Sequence, residues 1–136
     1  MSDYLVIDSS FIMSDILPDE DGSEHDLATY SVYVPAIFFL ECNNVLNGAF
    51  KRKRITVTDL QEYLQLLGHL PFTVDKFSAT PECLHIISRL CQQYDLTSYD
   101  ACYLELALRL EATLGTHDKK LMAAGKESGV NILSVQ

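Results

Sequence analysis

Short apolar runs alternate with longer helical stretches from one end of the chain to the other, and no other feature limits the fold so strongly. Tyr4 to Ile7, Ser31 to Val34, Pro71 to Val74, Thr113 to Thr116 and Val130 to Leu133 read as strands. Strands separated in this way by helices build a parallel sheet with both faces covered. The expected fold class is α/β, a three-layer α/β/α arrangement around a short central parallel sheet, made by residues 1–136 as a single domain.

The helices have recognisable starts and stops. Ser9 or Ser10 is placed to cap a first helix carrying Phe11, Ile12, Ile16 and Leu17, which Pro18 stops. Asp19 to Asp26 reads as an acidic, solvated loop. Pro35 opens a helix to about Phe50, with Ile37, Glu41, Val45 and Gly48 on one face and Asn44 beside them. Thr58-x-x-Gln61 has the form of a capping box ahead of Leu60, Tyr63, Leu64 and Leu67. Thr80 and Pro81 begin a helix whose stripe is Cys83, Ile87, Leu90, Cys91 and Tyr94. Thr97-x-x-Asp100 begins another, with Asp100, Tyr103, Leu104, Ala107 and Leu108 along its inward face. A last helix runs from Asp118 to about Glu127 and ends at Gly129.

Composition narrows the setting. No apolar run approaches the roughly 20 residues of a membrane span, and the start carries Asp3 and Asp8 but no base, unlike a secretory signal. A cytoplasmic location is expected. Cys42, Cys83, Cys91 and Cys102 form no C-x-x-C pair and fall in helical stretches, as buried reduced thiols do. His25, His69, His85 and His117 give no zinc spacing with them. The net charge of −9 sits at one end: residues 1–50 hold nine acids and no Lys or Arg, whereas residues 51–136 hold ten of each sign. Such asymmetry points to different partners for different faces.

Taken singly, the acids have bland explanations: Asp100 and Asp118 as helix caps, Glu41 as a helix edge. Taken together they do not. Asp8 and Asp118 lie at strand ends, Glu41 and Asp100 project inward from helices, and ligands of parallel sheets bind beyond the carboxyl ends of strands. Four carboxylates in one pocket stay ionised only around something positive. Mg²⁺ or Mn²⁺ is the expected filler, since hard cations prefer oxygen. Ser10, Asn44 and Thr116 are placed to orient ligands or water from behind. Such a centre suits phosphodiester hydrolysis.

Four segments carry a family resemblance: LVIDSSFIMSDILPDE around Asp8, VPAIFFLECNNVL around Glu41, LTSYDACYLELAL around Asp100 and LGTHDKKLMAAGKESGVNIL around Asp118. In this order and spacing the chain resembles the PIN-domain ribonucleases, most closely the small VapC-type toxins of toxin–antitoxin pairs. The resemblance implies a metal-dependent endoribonuclease with Asp8, Glu41, Asp100 and Asp118 as catalytic, metal-binding residues. It also implies a homodimer and an antitoxin partner. The acidic first 50 residues suit a basic partner. RNA contact falls to Lys51, Arg52, Lys53, Arg54, Lys119 and Lys120, because affinity for a polyanion needs cations; at a helix end, the first four also have a purely structural use.

Two other readings fit these residues less well. A non-catalytic PIN-like module that binds protein or RNA has no need of four acids. A receiver or haloacid-dehalogenase-like phosphatase needs acids that Ser9 and Ser10 replace beside Asp8.

Overall fold

The computed structural model describes residues 3–17 and 27–133; the acidic stretch expected as a loop at 19–26 lies outside them. In chain order the elements are β1 (Tyr4–Ile7), α1 (Ser9–Ile16), β2 (Ser31–Pro35), α2 (Phe38–Lys51), α3 (Val57–Gly68), β3 (Thr73–Asp75), a 3-10 turn (Phe77–Ala79), α4 (Pro81–Tyr94), α5 (Ser98–Leu110), β4 (Thr113–Gly115) and α6 (Lys119–Ser128). The four strands form one sheet in the order β3-β2-β1-β4, and every pairing is parallel. Consecutive residues of a strand point to opposite faces. Leu5, Val6 and Ile7 of β1 are all fully buried, so helices cover the sheet on both sides. This is the three-layer α/β/α architecture of the sequence reading.

The helix most enclosed is α5, which packs on β1, β2 and β4 as well as on α4 and α6. Seven consecutive residues, Ala101 to Ala107, are buried, so the stripe expected through Asp100, Tyr103 and Leu104 is only part of what this helix hides. Glu105 is among them at 3% exposure. A buried charge needs a partner. Arg109, one turn later, donates from Nε to Glu105 Oε2 at 2.8 Å and from Nη2 to Oε1 at 3.1 Å. The same guanidinium reaches Asp75 Oδ1 at 3.1 Å and Oδ2 at 2.6 Å, and lies over the Phe77 ring at 4.7 Å. Cys83 Sγ donates to Glu105 Oε1 at 3.3 Å. One arginine thus ties α5 to the end of β3.

Several boundaries differ from the sequence reading, each for a local reason. The first helix is capped by Asp8, whose carboxylate accepts from Phe11 N; neither Ser9 nor Ser10 is the cap. Pro35 closes β2, paired with Asp75, and the next helix begins at Phe38 because Ser78 Oγ accepts the Ala36 N–H. The buried stripe of α2 is Phe38, Cys42, Leu46 and Ala49, one position on from the stripe through Glu41, which borders it. The α3 box is Thr56 and Asp59, not Thr58 and Gln61. Buried Ile55 and Leu60 occupy the flanking positions of a hydrophobic staple and fix that register. The third strand starts at Thr73 and not Pro71, which has no N–H to give. Residues 130–133 make a single parallel bridge, Leu114 to Ile132, in place of a strand. All four thiols are free; Cys42, Cys83 and Cys102 are buried and Cys91 only partly so.

Removing the arginine strands the buried glutamate. Arg109→Met is expected to lower unfolding free energy by about 3–5 kcal/mol, and Glu105→Leu added to it to restore most of that. Urea denaturation of the single and double variants checks both.

Candidate active site

Strand order reverses at β1: β2 and β3 extend the sheet on one side and β4, the last in sequence, lies on the other. Connections leaving two such strands diverge and open a crevice at their carboxyl ends. Ile7 is in register with Gly115, so the next residues, Asp8 and Thr116, emerge side by side. The fit at Gly115 is close: an added Cβ would stand 3.1 Å from Ile7 Cγ2 and from the Phe11 ring, so those side chains would have to give by a few tenths of an ångström.

Asp8 is 5% exposed. Its Oδ1 accepts from Phe11 N at 3.0 Å and from Ser10 Oγ at 2.7 Å, and its Oδ2 accepts from Thr116 Oγ1. Burial pushes its carboxyl pKa up; these three bonds pull against that, and the charge of Asp118 adds to the rise. Asp118 caps α6 by accepting from Leu121 N at 2.8 Å, and its own N–H donates to Thr116 Oγ1 at 3.0 Å. Thr116 is therefore a hinge pin between two acids.

Asp100 stands on the first turn of α5, where its N–H donates to Thr97 Oγ1 at 3.2 Å. Its pKa is pushed up to about 6, by burial first and then by the charges of Asp118, Asp8 and Glu41. Those charges are all negative. Glu41, on the first turn of α2, is likewise raised by burial and by Asp8, and Tyr103 opposes the rise through a hydrogen bond. The Tyr103 phenol, itself 1% exposed, donates to Glu41 Oε1 at 2.5 Å.

The four acids expected from sequence thus feel one another across a single crevice. Ser10 and Thr116 stand behind Asp8 as expected, and Ser10 Oγ also accepts from His117 N at 3.1 Å. Asn44 is exposed on α2, on the wall of a groove shared with Glu41. Lys119 and Lys120 follow Asp118 directly, and Lys120 pairs with exposed Asp95 at 2.9 Å. The run Lys51 to Arg54 is elsewhere. Lys51 comes ten residues after Glu41 on the same helix, which is about 15 Å along its axis. Arg52 lies back over Gly48, whose added Cβ would meet its Nη1 at 3.3 Å.

Two contributors escaped the sequence reading. Tyr103 was placed there as one more apolar stripe residue; a phenol on an inward face demands a partner, and that was the available signal. His117, between Thr116 and Asp118, stacks on Phe11 with ring centres 5.4 Å apart, its Nε2 lying 3.1 Å from Ser14 Oγ.

The donor set suits a hard divalent cation, being carboxylate and hydroxyl oxygen throughout. Among the described residues no three Asp, Glu, His or Cys side chains are arranged to hold an ion by themselves.

Two predictions follow from these charges. Asp100 binds its proton more tightly when folded than at its ordinary pKa of 3.8, so its favourable contribution is complete below about pH 4 and lost as pH rises through about 6. In metal-free buffer Asp100→Asn should therefore match the wild-type Tm near pH 4 and exceed it at pH 7. Tyr103→Phe should cost about 1 kcal/mol of stability and move the Glu41 titration, followed by carboxyl NMR, to higher pH.

Comparison with known proteins agrees with this geometry. No curated protein matches the chain in sequence. Among solved structures, PAE2754 from Pyrobaculum aerophilum is similar with a TM-score of 0.60 at 20% identity, over 90% of this chain and 86% of that one. FitAcB from Neisseria gonorrhoeae gives a TM-score of 0.62 at 13% identity, over 96% of each chain. FitAB bound to an IR36 DNA fragment gives 0.56 at 14% identity, over 97% of each. At these identities the likeness is one of fold. The family model for the PIN domain matches residues 5–127, a span that begins at β1 and contains all four acids, and the chain belongs to the PIN-domain family.

Proposed function

We propose that this protein is a metal-dependent endoribonuclease of the VapC type, the toxin of a toxin–antitoxin pair. The observation that carries the reading is the set of charges that act on Asp100: three carboxylates, from the end of β1, α2 and the start of α6, all of its own sign. A fold with only structural needs would place an arginine there, as this one does at Glu105.

Asp8, Glu41, Asp100 and Asp118 would hold Mg²⁺ or Mn²⁺. When bound, the ion supplies a water of lowered pKa and neutralises charge on the attacking and leaving oxygens of a phosphodiester. The chain's own residues prepare for this. Thr116 and Ser10 fix both oxygens of Asp8; Oδ1 accepts two bonds and Oδ2 one, which leaves Oδ2 a lone pair for ligation. Tyr103 holds Glu41 by one oxygen and leaves the other for ligation or for a water. Asp100, raised to about 6 by burial and three like charges, is relieved by a cation.

Lys119 and Lys120 stand on the first turn of α6, where the helix dipole disfavours cations by about 0.3–1 kcal/mol each. Attraction of an RNA backbone toward Asp118 accounts for that placement. Lys51 to Arg54 are exposed at the far end of α2 and would meet phosphates farther along the strand. The nine acids of residues 1–50 suit a basic antitoxin segment, and the resemblance to VapC toxins adds a homodimer acting on cytoplasmic RNA. Among the described residues no helix is long and apolar enough to cross a membrane.

Cleavage of a mixed RNA pool by the purified protein tests the reading. Activity with Mg²⁺ or Mn²⁺ that is lost in EDTA, and falls at least a hundredfold in Asp8→Asn, is the expected result. No cleavage under any condition, with no metal binding by calorimetry, would instead favour a non-catalytic PIN-like binding module.

A further inference from the structure

Beside the acidic crevice, α2 and the first turn of α5 share a groove of about 570 Å³ lined by Ile37, Leu40, Glu41, Asn43, Asn44 and Tyr99. Two of its apolar members are left open to solvent: Leu40 is 71% exposed and Tyr99 60%. Each precedes an acid of the centre, Leu40 before Glu41 and Tyr99 before Asp100, and the groove adjoins the centre through Glu41. Glu41 belongs to both.

We propose that this groove binds an unpaired RNA base next to the scissile phosphate, stacked on Tyr99 and recognised by the amides of Asn43 and Asn44. The inference rests on the nuclease reading above and adds to it a base subsite built from residues of α2 and α5. Charge selects the occupant. Among the described residues no lining side chain is Lys or Arg, and one wall is a carboxylate, so a phosphate is repelled where a neutral base is not. Every base has a π-face for an exposed tyrosine, and a stacked base is worth roughly tenfold or more in affinity. An asparagine amide presents one acceptor and two donors, the complement of a base edge; Asn43 Oδ1 accepts from Asn47 Nδ2 at 2.9 Å, which leaves the Asn43 donors and the Asn44 amide for a base. Duplex RNA keeps its bases stacked inside and offers the groove nothing.

The test uses the Asp8→Asn protein with Mg²⁺, so that bound RNA stays intact, and 12-nucleotide single strands carrying 2-aminopurine at successive positions. One position should be quenched on binding. Tyr99→Ala should remove the quenching and weaken binding roughly tenfold, Tyr99→Phe should keep both, and a strand abasic at that position should bind all three proteins alike. Circular dichroism confirms that these exposed substitutions leave the fold intact. If the wild type cleaves RNA but Tyr99→Ala binds and quenches like its parent, the base site is overturned and the nuclease stands. Failure of the wild type to cleave RNA with either metal would overturn both. A dimer that becomes a monomer on Leu40→Ala with Tyr99→Ala, by sedimentation, would mean that a second copy covers the groove and would overturn the base site alone.

Discussion

The carboxylate of Asp8 is buried between the ends of β1 and β4, and three donors hold it there: Phe11 N, Ser10 Oγ and Thr116 Oγ1. Much of the molecule is arranged by these bonds. The first starts α1; the third locks Thr116, which in turn receives the N–H of Asp118 and so sets where α6 begins. Gly115 lets Phe11 pack close beneath the strand end, and Phe11 carries His117 on its ring. Glu41 and Asp100 then enter from α2 and α5. A cap and a ligand are alternatives in sequence, but in this fold the carboxylate that caps α1 is also one whose charge reaches Asp100 across the crevice.

The protein buries acids in two contrasting ways. Glu105 is almost inaccessible and is neutralised by Arg109, which it shares with Asp75. Around Asp100 the interacting charges are all of its own sign, and the proton it retains toward pH 6 is the price of that arrangement. Both acids lie on α5, about one and a half turns apart, so the difference is not one of available chemistry. Uncompensated charge that the fold could have neutralised marks a place reserved for something else, which is how perturbed carboxylates identify functional sites.

The sheet, its parallel pairing and the four acids were legible because hydrophobic periodicity and strand-end position are local properties. What the sequence hid were competitions between neighbours. Pro35 has the form of a helix start, and only Asp75 and Ser78, some forty residues on, decide that it ends a strand. Thr58-x-x-Gln61 is as good a box as Thr56-x-x-Asp59, and burial of Ile55 and Leu60 chooses between them. The stripe through Glu41 was misplaced by one residue because Phe38, Cys42 and Leu46 fit the same period. Tyr103 is apolar by composition, yet its hydroxyl finds Glu41 sixty-two positions away. The basic run at Lys51 to Arg54 showed its charge but not its distance from the crevice.

The claim on which all this turns is that the four acids hold a divalent cation. Crystals soaked in Mn²⁺ and measured for anomalous scattering address it without reference to any RNA. The expected result is a single strong peak within ligand distance of Asp8 and at least one of Asp100, Asp118 and Glu41, absent from Asp8→Asn crystals soaked alike. A difference map flat in the crevice at millimolar Mn²⁺, or a peak there that survives the substitution undiminished, would contradict it.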